Sequence, residues 1–296
     1  MAGHPGDRGR LATVLAITVA VLVVEVVGAV ISGSLALLAD AGHMLTDVAG
    51  LTLGLVAAVL SRRPATDART WGYRRAEVLG AAAQAAVLLA VGLFILVEGV
   101  RRLFDPPEVT SGVMIVFGAV GLVGNLIGLA VLAGGRGDNL NMRAAFLEVV
   151  NDALGSVAVL AAAAVIATTG WLRADAVASL VIGVLIIPRT IGLLRESVDV
   201  LLESTPKGLD LTHVRTRIMT LPHVRDVHDL HASQVATGLP VLSAHVVVDD
   251  SCFYDGHLGP MLDELQACLV DDFDVEHSTI QFEAGTHADH EHETHA

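Results

Sequence analysis

Cysteine is scarce: Cys252 and Cys268 are the only two in 296 residues. They form no CxxC pair, so they offer neither a disulfide framework nor a thiolate zinc site, and they read as ordinary thiols of a reducing compartment. Aromatic residues make up only 4%. The apolar content is therefore mostly Ala, Val, Leu and Gly, which suits close helix packing in a membrane. Positive charge is short as well, 18 Lys and Arg against 32 Asp and Glu, and the resulting net charge of −14 argues against a nucleic-acid partner. No HExxH motif occurs anywhere, which argues against a membrane metalloprotease and leaves no sign of an enzyme. No cleavable leader is expected, because the first apolar run is about as long as a membrane span and lacks a small-residue cleavage site.

What the chain has in excess is apolar sequence. It is 53% hydrophobic with a mean hydropathy of +0.63, more than a soluble domain of this size carries. Runs at about 11–31, 38–60, 77–100, 111–133, 144–168 and 174–194 are each near the roughly 20 residues that cross a bilayer. Gly33, Arg62–Arg63–Pro64, Asp105–Pro106–Pro107, Gly134–Gly135 and Gly170 punctuate them. Arg8, Arg10, Arg62, Arg63, Arg69, Arg74, Arg75, Arg136, Arg143, Arg189 and Arg195 all fall on one side of a six-span arrangement. That bias puts both termini in the cytoplasm of a multi-pass protein of a bacterial plasma membrane. Arg101 and Arg102 lie on the other side, beside Asp105 and Glu108, and weaken the bias without reversing it.

After Pro206 the texture changes. Leu209–Leu221 has helical spacing, Val224–His231 and Pro240–Val248 read as strands, Leu258–Val270 as an amphipathic helix, and Val275–Phe282 as a third strand. The expected fold class is an α-helical membrane protein of six transmembrane helices, followed by a small cytoplasmic α-β-β-α-β domain of two layers, ferredoxin-like. Its expected divisions are a transport domain over 1–203, a metal-sensing and dimerisation domain over 204–283, and a disordered His-rich tail over 284–296 carrying His287, His290, His292 and His295.

Two spacings inside the apolar runs carry chemistry. His43 and Asp47 stand at i and i+4, and so do Glu148 and Asp152. Each pair lies one turn apart on one face of a helix. Ionisable groups in hydrocarbon are costly and normally face a partner, an ion or a water-filled path. Together the pairs offer one imidazole and three carboxylates, enough for a four-coordinate divalent cation. A self-satisfied interhelical hydrogen-bond network is the alternative use of such residues. Glu25, Asp40, Glu98 and Asp175 are further acids in or near apolar runs and are expected to cap helices or bond between them. Gly50 and Gly155 each follow the Asp of a pair by three residues, where a glycine lets helices approach closely.

The stretch from Ser32 to Asp47, SGSLALLADAGHMLTD, resembles the signature of the cation diffusion facilitator family. The likeness continues through Gly72–Tyr73–Arg74–Arg75–Ala76–Glu77, Arg143–Phe146, Asp152–Ser156, Val227–His231 and Ser243–His245. The resemblance implies a homodimeric antiporter that exports Zn²⁺, or a related divalent ion such as Mn²⁺, Fe²⁺, Co²⁺ or Cd²⁺, from the cytoplasm in exchange for protons. It implies metal as cargo and as regulatory ligand, with no prosthetic group; a membrane metal sensor is the other reading. His43, Asp47 and Asp152 match the family's transport ligands. Glu148 departs, because zinc-transporting members have His there; an added oxygen ligand makes the site harder and more tolerant of Mn²⁺, Fe²⁺ or Co²⁺. His228, His245, His257 and Glu283 fall near the family's cytoplasmic metal positions, with His231 and Gln281 close by. Arg75 and Glu203 correspond to a charge contact between protomers. A further metal site in the loop between spans two and three is not expected, because Arg69 and Tyr73 replace its histidines although Asp67 remains.

Overall fold

The computed structural model describes residues 5–60, 63–133 and 140–288. Arg62, Arg136, the Gly134–Gly135 breaker, His290, His292, His295 and the side chains of Arg8, Arg10 and Arg143 lie outside the described residues. The chain divides into two compact units, 1–56 with 80–194 and 57–79 with 195–296.

Six long helices form from the apolar runs: α1 (Pro5–Ser32), α2 (Leu35–Leu60), α3 (Ala76–Phe104), α4 (Ser111–Ala133), α5 (Leu140–Thr169) and α6 (Arg173–Leu201). Among the described residues five stretches are long and apolar enough to cross a membrane: Ala12–Ser32, Ala76–Phe104, Ser111–Ala133, Phe146–Thr169 and Arg173–Leu201. The sixth helix, α2, is not among those five. Its 26 residues reach about 39 Å at 1.5 Å per residue, ample length for a crossing.

Local chemistry sets the helix ends. Gly33 takes a φ of +71° and its N–H donates to Ala29 O at 2.9 Å, which closes α1 with a left-handed residue. Asp175 of α6 then caps the start of α2. Its carboxylate accepts from Leu35 N at 2.7 Å, from Ala36 N at 3.1 Å and from the Ser34 hydroxyl. A carboxylate at a helix N-terminus satisfies free N–H groups and meets the positive end of the dipole. Glu98 pairs with Arg102 at 2.9 Å. Both acids are structural, as the sequence suggests.

Within the membrane unit α4 packs closely between α1 and α5. Its buried face is Met114, Gly118, Gly121, Asn125, Gly128 and Leu132, at steps of three and four. Such a stripe of small residues lets helix backbones come together where lipid gives no hydrophobic drive. Leu37, Ala39, Met114, Val159 and Ile95 are fully buried around it.

The second unit carries α7 (Leu211–Met219), β1 (Val224–Ala236), β2 (Leu239–Val248), α8 (Leu258–Phe273) and β3 (His277–Ala284), followed by one helical turn, Gly285–Ala288. The element order is the expected α-β-β-α-β. Asp210 caps α7 by accepting from Thr212 N at 2.8 Å. The sheet order is β1-β2-β3, with β1 antiparallel and β3 parallel to the central β2. Alternation along the strands puts Val227, Ala244 and Val246 against Ile218 and Leu265 of the helices. The same alternation puts His228, His245, Gln281 and Glu283 on the opposite face. Trp71 meets the His277 ring edge-on, centroids 4.9 Å apart, so the segment before α3 belongs with this unit.

Candidate metal centre

The two i, i+4 pairs meet across α2 and α5. His43 Nε2 lies 3.7 Å from Asp47 Oδ2 and 3.8 Å from Asp152 Oδ1. The three form one of two groups among the described residues whose possible ligand atoms all lie within 4.8 Å of one another. Zinc–ligand bonds of about 2.0–2.1 Å put tetrahedral ligand atoms about 3.3 Å apart, so small side-chain shifts would close this set on an ion. Asp152 is 2% exposed, His43 12% and Asp47 15%. The atoms are also short of partners: His43 Nδ1, Asp47 Oδ2 and Asp152 Oδ1 are buried without a hydrogen bond. Buried polar atoms are normally satisfied, and the two orphaned carboxylate oxygens that both face His43 Nε2 point to a ligand.

α2 and α5 face each other as a ladder. Asp47 stands beside Glu148, His43 faces Asp152, and Asp40 faces Ser156 at 3.1 Å. Each rung is one turn from the next. Gly155 explains the closeness of the last one, since a Cβ there would overlap Asp40 Oδ1. Gly50, the matching glycine of the first pair, faces the Gln84 amide in the same way.

Glu148 departs from the expected four-ligand cage. Both its oxygens are taken by Arg189 of α6, Nη1 to Oε1 at 2.9 Å and Nη2 to Oε2 at 2.8 Å. It sits beside Asp47, yet outside the three-residue group. A guanidinium fork matches a carboxylate in two parallel bonds and so outcompetes a single contact with a neighbouring acid. Spacing along α5 could not reveal a partner on α6.

The second group is His228, His245 and Glu283. His228 and His245 are paired across β1 and β2, and Glu283 lies two positions beyond Gln281, the β3 partner of His245. Glu283 Oε2 is 3.1 Å from His228 Nε2, and its Oε1 is 2.7 Å from His245 Nδ1. Gln281 donates to Glu283 Oε1 at 2.6 Å. Asp229 was not singled out by the sequence reading. A bulge in β1 between His228 and His231, with Asp229 at a φ of +47°, brings its carboxylate 3.5 Å from His245 Nε2 and 2.7 Å from His231 Nε2. An Asp between two strand histidines was the available signal; the bulge that turns it to their face was not legible.

His257, expected with this group, is elsewhere. The short helix Asp250–Phe253 and Gly256, with a φ of +83°, carry it to the start of α8. There its Nδ1 meets Asp255 at 2.7 Å and its ring lies 5.4 Å from that of His223. His223 is bound to Asp249, whose carboxyl is held below its usual range first by Arg225 and then by His223. Arg75 and Glu203, expected to meet between protomers, close on each other within one chain at 2.8 Å. Both belong to the second unit. In the loop, Arg69 bonds the Tyr73 hydroxyl and lies over its ring, which leaves no ligand set around Asp67 among the described residues.

Ionisable side chains gathered between apolar helices place the chain among multi-pass membrane proteins that handle ions. The chain belongs to the cation efflux family, the cation diffusion facilitators: the model of the cation efflux transmembrane domain matches residues 11–202, and that of the cation efflux protein cytoplasmic domain matches 206–285. It is 43% identical over 281 residues to the metal cation efflux system protein CzcD of Cupriavidus metallidurans, covering 95% of this chain and 88% of that one. To the zinc transporter ZitB of Escherichia coli it is 40% identical, over 93% of this chain and 87% of that one. A cadmium, cobalt and zinc/H(+)-K(+) antiporter of Bacillus subtilis is 36% identical, over 84% of this chain and 82% of that one.

Proposed function

We propose that the protein exports divalent metal cations from the cytoplasm in exchange for protons, with Zn²⁺ the first choice of cargo. The observation that carries this is the group of His43, Asp47 and Asp152, with two orphaned carboxylate oxygens facing one imidazole nitrogen between helices of an apolar bundle. In this reading α2 is the sixth span, both termini face the cytoplasm, and two copies pair through the cytoplasmic domain. The relatives' names support a metal cargo, and the Bacillus relative's name supports a proton counter-ion. The site is reached from one side at a time as helix groups rock around it. No step needs a prosthetic group. A sensor that signals through the cytoplasmic domain would leave metal on one side of the membrane, and a metalloenzyme would consume a substrate. The test is uptake of Zn²⁺, Co²⁺, Cd²⁺, Mn²⁺ and Fe²⁺ into proteoliposomes with an imposed pH gradient. Gradient-dependent accumulation is expected; its absence for every cation would sink the exporter reading.

His228, His245 and Glu283, with Asp229 as a fourth candidate, are read as the regulatory metal site. Metal binding there selects the closed arrangement of two cytoplasmic domains. Glu283 touches both histidines, so Glu283→Gln is expected to remove metal binding from the fragment 204–296, measured by calorimetry, and to abolish metal-induced compaction in scattering. Unchanged binding would remove Glu283 from the site.

A further inference from the structure

The metal set leaves unused the most buried acid of the membrane unit. Glu25 of α1 is 0% exposed and Asp40 of α2 is 1% exposed. Their carboxyl groups converge on one hydroxyl, that of Ser156. Ser156 Oγ lies 3.1 Å from Asp40 Oδ2 and 3.5 Å from Glu25 Oε1, and it accepts from Asn125 Nδ2 at 3.2 Å. Glu25 Oε2 is buried without a partner. The space for the pair is built by glycine: a Cβ at Gly121 would overlap Glu25 Oε1, and one at Gly155 would overlap Asp40 Oδ1.

A count of hydrogens shows what the cluster lacks. Two carboxylates are acceptors only, with four oxygens between them. The Ser156 hydroxyl has one hydrogen to give, and the Asn125 amide bond goes to Ser156 itself. Two buried carboxylates that compete for one donor repel each other until one of them holds a hydrogen. The groups around the pair are Asp152 on α5, His43 one turn along α2, and the neutral Asn125 and Ser156 on α4 and α5. Asp152 is a further carboxyl beside the pair, and a proton on the pair lessens the like-charge repulsion among the three.

We propose that Glu25 and Asp40 form the counter-ion site of the transporter, a seat for one proton separate from the metal ligands. The inference rests on the proton-coupled exporter reading and gives the proton its own residues. When cargo seats one turn away, its two positive charges repel the shared proton through a medium of low dielectric. The carboxyl O–H bond then breaks, the electron pair stays on the carboxylate, and the proton passes to water on the cytoplasmic side. When cargo leaves, the pair and Asp152 face each other as like charges, and a proton from the outer side restores the O–H bond. The Ser156 hydroxyl, with one hydrogen to give, turns it to the carboxylate that holds no proton.

The test uses the full-length protein in proteoliposomes and separates two activities. One is exchange of labelled for unlabelled Zn²⁺ at equal pH, which needs only the metal ligands. The other is accumulation of Zn²⁺ against its gradient, driven by a pH difference. Glu25→Gln keeps the shape and a hydrogen-bond donor but has no ionisable proton; Asp40→Asn does the same from the other partner. Both variants are expected to keep exchange and lose driven accumulation. In detergent, each is expected to release about one proton fewer than wild type per metal bound. Driven accumulation retained in Glu25→Gln would overturn the proposal. Loss of exchange in both variants would overturn it too, by assigning the pair to the fold or to cargo binding. A wild type that moves no metal would instead defeat the exporter reading.

Discussion

Asp47→Ala and Asp152→Ala are each expected to bring metal uptake by proteoliposomes to background while the protein still purifies as a folded assembly. Each removes one of the three ligand side chains and leaves the other two too few to hold an ion. Loss of a residue that merely supports a ligand costs about 10–100-fold in metal affinity, so loss of a ligand itself is expected to exceed about 100-fold. The fold should survive for a physical reason. Asp152 Oδ1 and Asp47 Oδ2 make no hydrogen bond, so replacing them strands no buried partner. The same two variants should therefore gain rather than lose thermal stability in the absence of metal. Near wild-type flux by either variant would defeat the assignment of His43, Asp47 and Asp152 as the transport ligands.

The spans and the small domain were largely legible because each rests on a local period. The run at 111–133 became α4 with the same bounds, and the strand at 240–248 became β2 within one residue. The i, i+4 rule placed His43 over Asp47 and Glu148 over Asp152 for the same reason. What a local period cannot supply is a partner far along the chain. Arg189 lies 41 residues from Glu148, and no periodicity couples them. The family resemblance puts His257 near the strand cluster, but the residues before α8 turn it towards His223. Arg75 and Glu203 are 128 residues apart, and their contact within one chain has no local period behind it. Asp229 was missed because a bulge reverses the face on which a strand residue emerges. Glu25 was legible as an oddity, a carboxyl in mid-span; its pairing with Asp40 needed the packing of α1 on α4 and α5.

Glu148 is where this chain departs from zinc-transporting relatives, and Arg189 decides what the departure does. The guanidinium holds both carboxylate oxygens. With cargo present, Glu148 is free to join His43, Asp47 and Asp152 only if it leaves Arg189. An ion pair with side chains 59% and 26% exposed is worth about 1 kcal/mol at most. Arg189→Gln is therefore expected to tighten Zn²⁺ binding by about fivefold, the equivalent of that energy. A gain in affinity is not what damage to the fold would produce. Glu148→His replaces a hard oxygen by a borderline nitrogen and deletes a negative charge. It is expected to narrow selectivity towards Zn²⁺, weaken Mn²⁺, Fe²⁺ and Co²⁺ transport, and alter the pH dependence of flux. In that background Arg189 has no carboxylate to hold, so adding Arg189→Gln should change affinity little. The four proteins form a double-mutant cycle whose coupling term reports the competition directly. Identical selectivity and pH profiles for Glu148→His and wild type, with no coupling to Arg189, would mean that Glu148 never reaches the metal and that the three remaining ligands work with water.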